Sequence, residues 1–299
     1  MAVNFGCNVP IRAVVLGGRG GIGGAFVSLL QKLPNTAFVG CTSRDEKWVA
    51  DFNRKEADDG VRARAFPLDM TNEDSFVEFV DKVKNDLSLL NGAPDGERLN
   101  LVINASGFLH NTDISPETSL RKISKMNFTE NFSANTLSNF LAARYIMGDR
   151  DLLQVSTDTR NAGVFATLSA RVGSVTHNEL GGWYSYRASK AATNMLVKTA
   201  AIEAKRILPN WRIIALHPGT VQSPLSAPFT RFRKRNLITT EKDLHSGPDC
   251  SLEDFGPENA LFWTPELCCE SLWTNVIQKA TVEQHSGKLL DYACREISP

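Results

Sequence analysis

Short apolar runs alternate along the chain with longer stretches in which apolar residues recur at helical spacing. The apolar runs predict seven strands, at residues 13–16, 37–41, 61–68, 99–103, 163–168, 212–216 and 287–292. The stretches between them predict helices, including one capped by Thr71 with Asp74 three residues on, as in a capping box. Strands joined through helices form right-handed crossovers. The pattern therefore predicts an α/β fold, a doubly wound parallel sheet of about seven strands with helices on both faces.

The domain organisation follows from the same alternation. We expect residues 1–299 to form a single domain, although a chain of this length could hold two. A segment rich in Pro, Arg and Asp, at about 224–257, interrupts the alternation after the sixth predicted strand, and we expect it to be an inserted lid. Within it, residues 231–235 carry four basic side chains. Both a solvated loop and a site for an anion or a partner remain open for them.

Charge and cysteine content exclude several classes of protein. The chain carries 33 Lys and Arg against 33 Asp and Glu, a net charge of zero, which argues against nucleic acid or an anionic membrane as the main partner. No run of 18 apolar residues indicates a membrane span, and the start of the chain does not have the pattern of a secretory signal. The six cysteines form no C-x-x-C pair, which favours reduced thiols and a cytoplasmic location. We expect no metal site.

A glycine-rich loop follows the first predicted strand. Its glycines fit G-x-G-x-x-G at Gly18, Gly20 and Gly23, or G-x-x-x-G-x-G at Gly17, Gly21 and Gly23. Both patterns place a tight turn between a strand and a helix, where the first amides of the helix can hold a pyrophosphate. A side chain there would block close approach of the phosphates. The loop predicts a Rossmann-type dinucleotide site.

The residues that follow the second predicted strand indicate which dinucleotide is bound. An NAD site usually places an acid there, for the adenosine 2′-hydroxyl. This chain instead has Ser43 and Arg44, with no acid before Asp45. Arg44 and Arg19 could together neutralise a 2′-phosphate through charge-assisted hydrogen bonds. We therefore expect NADP(H) rather than NAD.

Two residues late in the chain point to acid–base chemistry. Tyr186 and Lys190 are four apart at the start of a predicted helix and so lie on one face of it. A nearby ammonium stabilises a phenolate and is expected to lower the pKa of the tyrosine. Such a phenol can give a proton to a carbonyl oxygen or take one from an alcohol. Tyr184 has no lysine at that offset and is expected to pack or to line the site.

These features together resemble the short-chain dehydrogenase/reductase family over almost the whole chain. The glycine loop is similar to the family's TGxxxGxG motif, with Leu16 in place of threonine. Residues 104–107 resemble its NNAG motif, with Ala105 and Ser106 as departures. Residues 169–174 and 181–190 look most like the branch of C-factor and sniffer-type carbonyl reductases. The resemblance and the residues together give this set of expected cofactor-binding residues: Gly17, Arg19, Gly21, Ile22, Gly23, Ser43, Arg44, Asp69, Met70, Asn104, Ser106, Gly107, Tyr186, Lys190, Pro218, Gly219 and Val221.

The resemblance also implies catalytic roles. Tyr186 would exchange the proton and Lys190 would hold the nicotinamide ribose. Asn135 would complete a proton relay through a water, with Asn131 and Asn127 as alternatives.

A further family residue, a serine that hydrogen-bonds the substrate oxygen, is missing from its usual place. That position is Ala170 in this chain. Ser174, twelve residues before Tyr186, is the preferred substitute and Ser169 the alternative.

Three hypotheses of function follow. The leading one is an NADP(H)-dependent oxidoreductase, similar to a carbonyl reductase, that acts on a small carbonyl or alcohol compound. The second is a cofactor-binding signalling or regulatory protein of the C-factor type with a weakened site. A sugar-nucleotide epimerase is disfavoured, because the last third of the chain leaves little room for a large substrate domain. The family habit implies a homodimer or homotetramer.

Overall fold

The computed structural model describes residues 9–56, 63–90, 97–155, 163–229, 237–238 and 262–299. Its strands are β1 (Ile11–Leu16), β2 (Thr36–Ser43), β3 (Ala63–Pro67), β4 (Leu101–Asn104), β5 (Gly163–Leu168), β6 (Trp211–His217), β7 (Leu237–Ile238), β8 (Phe262–Trp263), β9 (Leu289–Asp291) and β10 (Glu296–Ile297). Its α-helices are α1 (Gly21–Lys32), α2 (Glu46–Glu56), α3 (Glu73–Ser88), α4 (Lys125–Phe132), α5 (Ser138–Ala142), α6 (Tyr184–Ile207), α7 (Pro265–Ser271) and α8 (Val282–His285). π-helical turns at Ser133–Leu137, Ala143–Met147 and Leu272–Ile277 continue α4, α5 and α7.

Eight of the strands form one sheet in the order β10-β9-β6-β5-β4-β1-β2-β3. All neighbouring pairs are parallel except β10 with β9, which is antiparallel. The first six strands thus have the doubly wound order 3-2-1-4-5-6. The predicted fold class is confirmed, and the predicted seventh strand corresponds to β9. The short strands β7 and β8 pair separately, in parallel.

Helices cover both faces of this sheet. Along β1, Ala13 and Val15 face a layer that includes α1 and α7, whereas Val14 and Leu16 face a layer that includes α3 and α6. This alternation follows from the two-residue period of a strand. Each face buries a separate apolar cluster, so β1 and its neighbours are enclosed on both sides, as in parallel sheets generally.

The start of α3 differs from the prediction. Asn72, not Thr71, is its N-cap, and the Asn72 side chain accepts hydrogen bonds from the amides of Asp74 and Ser75 at 2.9 and 3.3 Å. The Thr71 hydroxyl instead donates to Asp69 Oδ1 at 2.8 Å. The predicted cap was therefore wrong by one residue, because both side chains can cap and Thr71 has a partner in the preceding loop.

The predicted lid is only partly within the described residues. Its first residues, up to Phe229, end in the 3-10 turn Ala227–Phe229, and the basic residues 231–235 lie outside the described residues. The lid and the single-domain organisation stay predictions. In the parts of the chain that are described, no helix is long and apolar enough to cross a bilayer.

The topology places the site. β1 has β2 on one side and β4 on the other, and the chain order reverses direction there. In such sheets ligands bind beyond the carboxyl ends of the strands at this switch point. The loops after β1, β4, β5 and β6 meet at this edge.

Candidate active site

The glycine loop after β1 is shaped by close main-chain contacts. Gly17 has a φ of +76°, and its amide donates to Thr42 Oγ1 at 3.0 Å. A Cβ on Gly23 would lie 2.2 Å from the Gly17 carbonyl oxygen, so only glycine fits there. Helix α1 has no side-chain cap at Gly20 and no acid in its first turn. The first amides of α1 are therefore available to an anion such as a dinucleotide pyrophosphate.

Two arginines and two acids surround the end of β2. Arg19 forms an ion pair with Asp45 at 2.5 Å, and both side chains are substantially exposed. The Trp48 amide, and then Arg19, lower the pKa of Asp45 below its usual value. Hydrogen bonds from Thr71 lower the pKa of Asp69, and the charge of Arg44 lowers it further. Arg44 itself is exposed. Arg44 therefore lies near Asp69, while Arg19 has a partner, Asp45, that was not predicted for it.

The adjoining side chains at this end of the site hold the loops. The Ser43 hydroxyl accepts from the Asp45 amide at 3.1 Å, and Met70 is nine-tenths buried in the apolar cluster under α3. Thr42 was not among the predicted residues, although its hydroxyl fixes Gly17. The family motif has its threonine where Leu16 stands, so the motif contains no signal for a threonine on the neighbouring strand.

A polar network fixes the end of β4. Asn104 Oδ1 accepts from the amide and the hydroxyl of Ser106 at 3.0 and 2.6 Å, and Asn104 Nδ2 donates to Asn139 Oδ1 at 2.8 Å. Thr167 on β5 donates to the same Asn139 oxygen. The amide nitrogen of Ser106 lies 3.2 Å from where a Cβ of Gly17 would be. The loop after β4 therefore packs directly against the glycine loop.

Pro218 and Gly219, two of the expected cofactor-binding residues, follow β6 and also reach this edge. The Pro218 carbonyl accepts from Cys268 Sγ at 3.4 Å, and the Ile22 carbonyl accepts from Cys269 Sγ at 3.3 Å. Both thiols are buried, and burial raises their pKa values. The two cysteines thus tie α7 to the loop after β6 and to the first turn of α1. Gly219 (φ +72°) and the buried Val221 continue the loop that follows β6, where Val221 bridges to Trp263 of β8.

Tyr186 and Lys190 lie one turn apart on α6 and both are buried. The Lys190 Nζ lies 5.8 Å from the centre of the Tyr186 ring and donates to the Leu168 carbonyl at 3.0 Å. Burial lowers the pKa of Lys190 to about 8, and burial raises the pKa of Tyr186 above its usual value. The shift in the pKa of Tyr186 is opposite in direction to the one expected from the lysine, because desolvation of the phenolate dominates. The phenol is therefore protonated at neutral pH.

Asn135 lies within the π-helical turn that follows α4. Its Oδ1 accepts from the Phe108 amide and its Nδ2 donates to the Phe108 carbonyl, both at 2.8 Å. A Cβ on Gly107 would be 3.6 Å from both Asn135 Oδ1 and Lys190 Nζ. The structure thus brings Asn135, Gly107 and Lys190 together. Asn131 and Asn127 lie one and two turns earlier, and Asn127 bonds to the Ser115 carbonyl.

The candidate serines are both engaged elsewhere. Ser174 Oγ donates to the Ser298 carbonyl at 2.5 Å, and Ser169 Oγ donates to Asn194 Oδ1 at 2.6 Å. Ala170 is half-buried at the start of the turn Arg171–Gly173. The catalytic role of Ser174 stays a prediction, and its hydrogen bond to the C-terminal segment weighs against it.

A set of ring contacts next to Tyr186, formed by Trp183, Phe229 and His110, was not predicted. The Trp183 ring packs edge-on against Tyr186 at 6.1 Å and against Phe229 at 5.1 Å, and His110 contacts Phe229 at 5.3 Å. His110 Nε2 also lies 3.1 Å from the Leu225 carbonyl oxygen. These residues come from three separate loops, so no local pattern in the sequence could have associated them.

The chain belongs to the short-chain dehydrogenase family, whose model matches residues 12–234. This match spans more than half of the chain and includes the glycine loop and the Tyr186–Lys190 pair. The predicted family is therefore confirmed.

Solved structures with the same fold include several reductases. The chain covers 100% of each of three of them, over 97% of its own length. They are the carbonyl reductase Sniffer of D. melanogaster (16% identity, TM-score 0.68), an NADPH-bound carbonyl reductase from chicken fatty liver (20%, 0.72) and a putative short-chain dehydrogenase/reductase from Burkholderia multivorans with bound NADP (18%, 0.65). At these identities the likeness establishes the fold alone.

A curated relative matches a shorter part of the chain. The C-signal of Myxococcus xanthus is 38% identical over 63 residues, which are 21% of this chain and 37% of that protein. The match thus spans little more than a third of the relative's length.

Proposed function

We propose that this chain is an NADP(H)-dependent oxidoreductase, similar to a carbonyl reductase, that interconverts a small carbonyl compound and its alcohol. The observation that carries the proposal is the buried pair of Tyr186 and Lys190, placed one turn apart at the same sheet edge as the glycine loop. A phosphate-binding loop alone would suit many ligands. A buried phenol beside a buried ammonium adds a proton donor where a carbonyl oxygen would lie.

The preference for NADP(H) is supported by the charges at the end of β2. Arg44 is exposed there, and Arg19 lies within reach of the same region although it pairs with Asp45. Guanidinium groups bind phosphate through paired hydrogen bonds, and no acid occupies the position at the very end of β2. Two of the structures with this fold hold NADPH or NADP.

The residues of this chain account for the proton chemistry. When bound, the cofactor supplies a hydride from its nicotinamide ring. Because the Tyr186 phenol is protonated at neutral pH, it donates its proton to the carbonyl oxygen when the carbonyl is reduced. Lys190 holds the nicotinamide ribose, and Asn135, fixed by its two bonds to Phe108, orders the loop beside that ammonium.

The test is turnover of NADPH by the purified full chain with a panel of small aldehydes and ketones. We expect Tyr186→Phe to lower kcat by about two orders of magnitude or more and to leave NADPH affinity within about twofold. Tyr184→Phe is the matched control, since it removes a hydroxyl two residues away on the same helix, and it should retain activity. Wild-type rates equal to those of Tyr186→Phe across the panel would refute the proposal.

A second candidate function has its own observations. Ala170 removes the hydroxyl that the family places near the substrate oxygen, and 63 residues match the C-signal. A signalling protein of this kind would bind NADP(H) tightly without turnover. Its biological effect would survive Tyr186→Phe, whereas an effect that depends on catalysis would disappear.

The proposed assembly is a homodimer or homotetramer in the cytoplasm. It is supported by large apolar side chains exposed on the helices of one layer, such as Met126, Phe128, Phe140, Met195 and Ile202. Where such side chains are contiguous, they mark an interaction surface. The molar mass in solution, measured by light scattering, tests the assembly, and a monomer at micromolar concentration would refute it.

A further inference from the structure

Helix α6 begins at a residue that is unable to cap it. Trp183, the N-cap, has a φ of +52° and follows two glycines that also have positive φ. The indole side chain has a donor but no acceptor, and Trp183 makes no capping hydrogen bond. The first amides of a helix need acceptors, so those of α6 depend on another part of the chain.

Glu117, from the segment between β4 and α4, supplies these acceptors. Its Oε2 accepts from the Ser185 amide at 3.2 Å, and its Oε1 accepts from the Ser185 hydroxyl. Its main-chain oxygen accepts from the Trp183 amide at 2.5 Å. One residue thus satisfies two amides at the helix start, although it lies far earlier in the sequence.

This carboxylate is costly to bury. Glu117 is 1% exposed, and within the described ranges no basic side chain forms an ion pair with it. A buried carboxylate is tolerated only where hydrogen bonds and local dipoles replace water. Here the two Ser185 donors and the positive end of α6 do so.

The Glu117 segment is also fixed on its other side. The Ser115 carbonyl accepts from Asn127 Nδ2 at 3.0 Å, so α4 holds this segment. Glu117 therefore connects the helix that leads to Asn135 with the start of the helix that carries Tyr186.

We propose that Glu117 is a positioning residue for the reaction at Tyr186. The inference rests on the proposed function. Ser185 precedes Tyr186 directly, and the Trp183 ring packs against the Tyr186 ring at 6.1 Å, so Glu117 fixes both neighbours of the phenol. The rest of α6 extends to Ile207 and packs independently. Loss of Glu117 should therefore displace the phenol by loosening the first turn alone.

Steady-state kinetics of three variants test this role. In Glu117→Ala we expect kcat to fall about ten- to a hundredfold, the cost of a small misplacement of a reacting group, with NADPH affinity within about twofold. Glu117→Gln should recover much of the lost rate, because its amide oxygen still accepts from Ser185 and the serine hydroxyl can turn to accept from the amide. Glu179→Gln, which changes an exposed acid before the same helix, is the matched control and should leave kcat unchanged.

Amide hydrogen exchange separates the positioning role from the proposed function. In Glu117→Ala, with or without cofactor, peptides covering the first turn of α6 should exchange faster, while those from its last turns should not. Faster exchange there with an unchanged kcat would overturn the positioning role and leave the oxidoreductase intact. An unchanged exchange rate would overturn the anchoring itself. A wild-type protein that turns over no carbonyl compound would instead refute the proposed function.

Discussion

The missing hydroxyl at Ala170 gives the sharpest perturbation of the proposed site. Ala170→Ser restores the family serine at a position whose backbone accepts it without strain, since φ and ψ are −150° and 148°. The turn that follows is firmly placed: a Cβ on Gly173 would lie 2.9 Å from Lys190 Cβ. A hydroxyl at residue 170 would therefore start from a fixed point close to α6.

The expected gain follows from two opposing effects. A preorganised donor to a developing oxyanion is worth about two to three orders of magnitude in kcat. Ala170 is also the N-cap of the turn Arg171–Gly173, so a serine hydroxyl there can instead hydrogen-bond to an amide of that turn. This competing hydrogen bond is worth about 1 kcal/mol and should reduce the gain in kcat about fivefold. The net expectation for Ala170→Ser is a rise in kcat of about 20- to 200-fold, with little change in NADPH affinity.

The assay compares initial rates of NADPH oxidation, and Ser174→Ala serves as the matched variant. The Ser174 hydroxyl donates a hydrogen bond to the Ser298 carbonyl, and losing it should lower the free energy of unfolding by about 1 kcal/mol. Ser174→Ala should therefore lower Tm by about 2–4 °C and leave kcat within about twofold. The opposite result would refute this reasoning: an unchanged kcat in Ala170→Ser together with a loss of about a hundredfold or more in Ser174→Ala. Ser174 would then be the catalytic donor that its spacing from Tyr186 predicts.

Three further predictions concern the loops and charges of the site. Since burial lowers the pKa of Lys190 to about 8, kcat for reduction should fall as pH rises through 8. A residually active Lys190→Arg should not show that fall. A wild-type kcat that stays constant up to about pH 10 would contradict this prediction. Gly23→Ala should lower the free energy of unfolding, measured by urea titration, by about 1–3 kcal/mol. The control is Gly24→Ala in the same helix, which should be neutral or stabilising because its Cβ would meet nothing closer than 3.4 Å. Equal effects of the two substitutions would contradict the close contact at Gly23. Asp45→Asn should keep the hydrogen bond from the Trp48 amide that caps α2, but it should release Arg19 from its ion pair. We expect NADPH to bind about threefold more tightly and NADH affinity to stay unchanged. An equal change in both affinities would contradict a role of Arg19 at the 2′-phosphate.

The sequence predicted those parts of the fold that local periodicity determines. Buried parallel strands are continuous apolar runs, so β5 was predicted with the bounds it has. The cap of α3 was predicted one residue too early, because Thr71 and Asn72 are both good caps and the choice depends on Asp69. Periodicity has no information about which of two adjacent side chains has a competing partner.

In the candidate site, too, only the residues related by local spacing could be predicted from the sequence. A spacing of four on a helix was sufficient to associate Tyr186 with Lys190, and the glycine pattern predicted a close main-chain approach. Glu117 and the group of Trp183, Phe229 and His110 had no signal, because their partners are far away in the sequence. Packing of loops from different strands creates these contacts, and only the folded chain specifies it.

The pKa of Tyr186 shows why correct residues do not ensure correct chemistry. The sequence contains the charge of Lys190 and so predicts a lowered tyrosine pKa, but burial acts on both groups. Desolvation raises the pKa of the phenol and lowers that of the ammonium, which weakens the charge that was to stabilise the phenolate. The phenol is therefore protonated at neutral pH, while an ammonium with a pKa of about 8 keeps most of its charge there. A raised pKa makes a phenol a weaker acid, so the charge retained on Lys190 is what would make Tyr186 an effective proton donor. How much of that charge remains depends on burial, which neither residue type specifies.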